Sequence, residues 1–99
     1  MKLLTKELRE TIPPLRSTEN QRDPLVVAKF FTPDSSWTWF ILEGAEEDGD
    51  FIFFGLVDGF CQELGYFSLS ELEVVRGPLG LPIERDMWWT PIRLSQVQP

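Results

Sequence analysis

Between Leu25 and Phe67 the chain holds four runs rich in apolar, β-branched and aromatic residues: LVVAKFF (25–31), WTWFIL (37–42), FIFFGLV (51–57) and FCQELGYF (60–67). Such residues suit a pleated, half-buried backbone, so each run reads as a strand. The connections between them are short, whereas parallel neighbours need a crossover of about a dozen residues or more. The four runs therefore predict an antiparallel meander. TPDSS (32–36) has the proline, aspartate and serine chemistry of a turn. Asp58-Gly59, between Val57 and Phe60, is the strongest short hairpin signal, because a type I′ turn needs positive φ at both central positions.

The runs do not alternate between apolar and polar. Trp37, Trp39 and Ile41 share one face of the second while Phe40 and Leu42 share the other; in the third, Phe51, Phe53 and Val57 oppose Ile52, Phe54 and Leu56. Both faces of the sheet call for cover, some of it from helices and the rest from the C-terminal segment or a partner. One helix is expected near the N-terminus, where Leu4, Leu8 and Ile12 form a stripe, Thr5 caps the start and Pro13-Pro14 ends it. RSTENQRDP (16–24) reads as a surface loop. A second helix, about residues 69–76, follows the fourth strand. Ser68 and Glu71 have capping-box spacing, Phe67 and Leu72 the spacing of a hydrophobic staple, and Gly77-Pro78 a stop signal. Beyond it, one extended edge segment is expected over Met87–Leu94, with Pro91 keeping it at the edge. The fold class is α+β: an antiparallel meander sheet of four to five strands with two helices. At 99 residues it forms one domain, residues 1–99.

Charge is segregated along the chain. Residues 30–75 carry ten acids and no Lys or Arg, whereas the flanks carry nine bases against six acids. An acidic half-chain repels nucleic acid and anionic membranes and attracts cations or basic proteins. EGAEEDGD (43–50) concentrates Glu43, Glu46, Glu47, Asp48 and Asp50 in a hairpin connection, with Asp48-Gly49 as its turn dipeptide. The stretch lacks the ligand register of a calcium loop. With no His and one Cys, the usual transition-metal ligands are missing. The same lack of His leaves Ser-His and Cys-His nucleophile activation without a base. Cys61 reads as a small core hydrophobe on a strand. No catalytic residue, metal or cofactor is assigned. Trp88 and Trp89 are adjacent, so one must face outward from an extended segment, where a large aromatic suits a protein interface. A single cysteine and the absence of a long apolar N-terminal run indicate a soluble, cytoplasmic protein.

The segments KLLTKELRETIPPL, KFFTPDSSWTWF, FFGLV, ELGYFSLSELE and RGPLGLPIERD resemble a family of about hundred-residue bacterial proteins catalogued as a domain of unknown function, common on plasmids, phages and other mobile elements. GYFSLSELEVVRGPLGLPIERD is the most specific part. The resemblance implies no catalytic or binding residues. It implies a habitat in which small acidic proteins serve as accessory or counter-defence factors, such as anti-restriction or anti-CRISPR inhibitors. The resulting expectation is a non-enzymatic module that binds a basic, nucleic-acid-handling protein through Glu43, Glu46, Glu47, Asp48, Asp50, Trp88 and Trp89. Two alternatives stand beside it: nucleic-acid binding through Lys2, Lys6, Arg9, Arg85 and Arg93, and a carboxylate-dependent hydrolase.

Overall fold

A computed structural model describes residues 1–97. In chain order the elements are α1 (Lys6–Thr11), β1 (Leu25–Val26), β2 (Ala28–Phe31), β3 (Thr38–Glu47), β4 (Asp50–Asp58), β5 (Gln62–Ser68), α2 (Leu69–Val74), β6 (Glu84–Arg85), β7 (Ile92–Arg93) and α3 (Leu94–Val97). The main sheet has the order β5-β4-β3-β2-β6, and β1 pairs with β7 in a separate ribbon. Every pairing is antiparallel. The meander expected from the short connections is thus β2 to β5.

The fifth strand of the sheet is not the one anticipated. Glu84–Arg85 returns to pair with Phe31 and Phe30. The expected Met87–Leu94 strand instead breaks up, and only Ile92–Arg93 is extended, beside β1. Trp89 turns inward and donates its indole Nε1–H to the Val26 carbonyl at 2.9 Å, and Pro91 offers no N–H for a ladder. The segment consequently crosses a sheet face rather than extending an edge. LVVAKFF divides for a related reason: Val27 N–H still bonds to the Ile41 carbonyl at 2.9 Å, but Leu25–Val26 has left β3 to pair with β7.

β3 continues through the acidic stretch to Glu47, so most of EGAEEDGD is strand. Asp48 and Gly49, at φ 51° and 81°, form the two-residue turn. A turn with positive φ at both positions matches the strand twist and sets the pairs Glu47 with Asp50, Glu46 with Phe51 and Ala45 with Ile52. Acids with little β-propensity are held extended by these cross-strand neighbours. A bulge between Ile41 and Glu43 shifts the register. Asp58-Gly59, by contrast, is not a type I′ turn. Neither residue has positive φ, and the connection runs through Gly59, Phe60 and Cys61 with Gly59 N–H bonding to the Cys61 carbonyl. Gly59 is needed for room instead, because a Cβ there would overlap the Trp37 ring. Phe60 and Cys61 consequently lie in an exposed loop, which corrects the reading of Cys61 as a core residue on a strand.

The helices match their capping signals at the N-terminal end. Thr5 Oγ1 accepts from Leu8 N–H at 3.1 Å to start α1. Ser68 and Glu71 exchange both bonds of a capping box to start α2. α2 then stops at Val74, short of Gly77-Pro78. Leu3, Leu4, Ile12 and Leu72 close one sheet face over Phe30, Ile41, Phe51, Phe53 and Phe67. The C-terminal segment closes part of the other: Trp89, Leu94 and Val97 pack against Val26, Phe40, Leu42 and Leu56. Both faces are covered as the doubly apolar strands require, but the second only in part. No described helix is long and apolar enough to cross a membrane.

Candidate functional site

The five acids predicted to act together are separated by the pleat and by their partners. Glu43, placed by the bulge opposite Phe54, is only 2% exposed. Its Oε1 accepts from Arg16 N–H at 2.7 Å, and its Oε2 accepts from Thr18 N–H at 2.8 Å and from the Thr18 hydroxyl. This carboxylate anchors the loop after α1 to the sheet and presents nothing to a partner. Expected on the surface as part of a connection, Glu43 instead lies inside, and Thr18 of the predicted surface loop is buried with it.

Glu46 lies on the other side of β3 and meets the Arg9 guanidinium at 2.9 Å. Arg9 also stands 5.1 Å from the centre of the Phe51 ring, so one base from the N-terminal flank enters the acidic hairpin. Asp50 accepts from Ser70 N–H and its hydroxyl and from Phe51 N–H. These bonds, led by the Ser70 hydroxyl, hold its carboxyl below the ordinary 3.8. Glu47 and Asp48 remain exposed at the turn.

The two tryptophans take opposite roles. Trp88 is 92% exposed. Trp89 packs on Phe40, with ring centres 6.1 Å apart, and is committed to the fold. Trp88 shares a shallow groove with Met1, Lys29, Phe31 and Met87. Lys29 pairs with Phe40, seven residues along β3 from Glu47. At about 3.3 Å per residue that is roughly 23 Å, and β2 lies one strand further from β4. The acidic turn and Trp88 thus belong to different parts of the surface.

The bases of the nucleic-acid alternative are largely tied to the fold. The Arg85 guanidinium donates to the Lys2 and Leu3 carbonyls at 2.6 and 3.0 Å, and that of Arg93 donates to the Asp23 carbonyl at 3.2 Å. For the hydrolase alternative, the two carboxylates whose titration is displaced, Asp23 and Asp50, are both shifted downward. A general acid needs the opposite direction. Among the described residues no group of three or more Cys, Asp or Glu is placed to hold a metal ion.

A further surface emerges where the C-terminal cover stops. β5 is an edge strand paired only with β4 among the described residues. Leu64, opposite Leu56, and Tyr66, opposite Phe54, are 55% and 60% exposed. The Phe54 and Tyr66 ring centres are 4.9 Å apart, making an aromatic pair on the open face. Glu63, immediately before Leu64 in sequence, points to the other side of the pleat and is exposed. No Lys or Arg occurs on β3, β4 or β5. The alternation Gln62, Leu64, Tyr66 carried the signal for this face, since its two apolar members have no covering element adjacent in sequence. The surroundings of the cysteine beside it disfavour its thiolate. Glu63 accepts a hydrogen bond from the Cys61 thiol and its charge lies close by, and both hold the thiol above its ordinary 9.0.

A family model described as "Protein of unknown function (DUF2958)" matches residues 3–97. No curated protein and no solved structure matches the chain.

Proposed function

The chain belongs to this family of unknown function, and on that premise we propose that it is a non-enzymatic, acidic module that binds a basic protein. What carries this reading is one coincidence: the half of the sheet made of β3, β4 and β5 has no Lys or Arg, and it is also the half that leaves Leu64 and Tyr66 exposed. Burial of apolar side chains supplies affinity, while the exposed carboxylates of the same strands and their turn steer a positive surface toward this half of the sheet and reject negative ones. The acids available for this are Glu47, Asp48 and Glu63, with Glu46 and Asp50 held in internal bonds and Glu43 buried.

The partner is a nucleic-acid-handling protein, because surfaces evolved to hold phosphate chains are basic, and exposed carboxylates can take the place of phosphate on them. The resemblance to proteins of mobile elements makes a host defence nuclease the natural example, and a counter-defence role follows from that choice. Capture from a bacterial lysate tests the reading. The wild-type protein should retain a basic protein at low salt and release it as salt rises, and Glu47→Lys/Asp48→Lys/Glu63→Lys should lose it at every salt concentration. Retention that ignores both salt and the triple reversal would sink the proposal. Gel shifts with single- and double-stranded DNA and RNA check the nucleic-acid alternative, and a shift at low salt would favour it.

A further inference from the structure

We propose that β5 is a docking edge, and that its occupant is an extended, basic segment of a partner protein that adds to the sheet as a further strand. This inference deepens the protein-binding reading and rests on it.

β5 has seven residues, longer than the two-residue strand at the opposite edge of the sheet. Alternate residues of an edge strand direct their N–H and C=O groups outward, where they bond to water until another strand replaces it. Proteins usually blunt such an edge with proline, lysine, a bulge or a covering loop. QELGYFS has no proline and no lysine, and its register with β4 is unbroken from Gln62 to Ser68. Its one charged side chain is Glu63. The edge is thus guarded by negative charge alone, a guard that lets a positively charged strand through.

Side chains on an added strand would alternate as those of β5 do. On one side they would meet the apolar surface of Leu64, Tyr66 and Phe54, which calls for β-branched or aromatic residues. On the other they would stand beside Glu63, which calls for Lys or Arg. A segment alternating apolar with basic residues fits both sides, with main-chain bonds supplying affinity and the alternation supplying selectivity. A second copy of this chain is the wrong occupant. Antiparallel pairing of two β5 edges about a two-fold axis joins two acidic edges, and no base on β3, β4 or β5 offsets their repulsion or supplies the positive partner that Glu63 calls for.

The test uses a soluble peptide of about nine residues alternating valine with lysine, titrated into the isotopically labelled protein at low salt. Binding should shift the amide signals of β5 and slow hydrogen exchange at alternate residues of that strand. N-methylation of the valine amides in one peptide and of the lysine amides in another should separate them. One should bind about tenfold or more weaker and the other within about threefold, because a strand presents only alternate amides to its neighbour. A glutamate-for-lysine peptide should fail on the wild type and bind Glu63→Lys, with the lysine peptide losing about fivefold or more on that variant. Tyr66→Ala, on an exposed position, should weaken the lysine peptide while leaving the circular dichroism unchanged. Shifts located off β5, equal binding of both N-methylated peptides, or no binding at millimolar peptide would overturn strand addition. If the lysate partner is nevertheless held in a salt-dependent manner, the broader protein-binding reading survives; if neither binds, both fall.

Discussion

Glu43 makes the most consequential bonds of any acid in the chain, and its role is mechanical. Its carboxylate accepts from Arg16 N–H, Thr18 N–H and the Thr18 hydroxyl, all within the packed region between the sheet and the loop after α1. Glu43→Ala leaves those donors without a partner and opens space, so it should destabilise the protein by about 3 kcal/mol, read as a lower urea midpoint. Asp50 predicts a pH effect instead. Its carboxyl is held below 3.8 by bonds that only the ionised form accepts fully. The tether between the hairpin and α2 is therefore complete above the ordinary aspartate value and is lost as pH falls through the lower folded value. In an NMR titration the Asp50 carboxyl should show a midpoint under 3.8, and Ser70→Ala should move it up toward that value. None of these partnerships was legible in the sequence. Glu43 and Glu46 differ only by falling on opposite sides of a bulged strand, and the bulge has no local signature. What could be read was that Trp88 and Trp89 cannot both face inward.

At the scale of elements, legibility followed how local the determining contacts are. The capping box at Ser68 and Glu71 is closed by residues three apart, and α2 begins where that spacing places it. Ser68→Ala should therefore cost about 1 kcal/mol, seen as a shift in urea midpoint with an unchanged denaturant slope. The Asp48-Gly49 turn was equally readable, since the dipeptide tolerates positive φ at both positions. Asp58-Gly59 carries the same letters and misled, because a ring twenty-two residues earlier, Trp37, sets what that glycine is for. The split of LVVAKFF and the strand at Glu84–Arg85 depend on still more distant partners: β7 for Leu25–Val26, and β2 for the returning segment. Composition marked the first as one strand and the second as none. The open face of β5 is an intermediate case. Its alternation is visible, but its exposure is decided by where the C-terminal segment ends its path across the sheet.

For the molecule as a whole, the uneven charge sets two salt responses of opposite sign. The net charge is −7, and the region from residue 30 to 75 contributes acids only. Folding draws those carboxylates close together, while Arg9 is the one base seen in an ion pair with them among the described residues. Mutual repulsion therefore acts against the folded state more than the unfolded one. Raising ionic strength from 0.01 to 0.15 M shortens the screening length from about 30 to about 8 Å, which relieves repulsion across the hairpin and the β5 edge. The midpoint of thermal unfolding should rise by about 5 °C over that range, equivalent to roughly 1 kcal/mol for a domain of this length. Over the same range, affinity for a basic partner should fall, because screening weakens attraction as readily as repulsion. Calorimetry in sodium chloride supplies the first quantity and the captured fraction of partner the second. Glu47→Lys/Asp48→Lys/Glu63→Lys makes the argument sharp: with three negative charges replaced by three positive ones, it should be more stable at low salt, flatter in its salt response, and unable to hold the partner. A melting midpoint that is flat or falls with salt would mean that the acids are already balanced in space, and charge segregation would then explain neither stability nor binding.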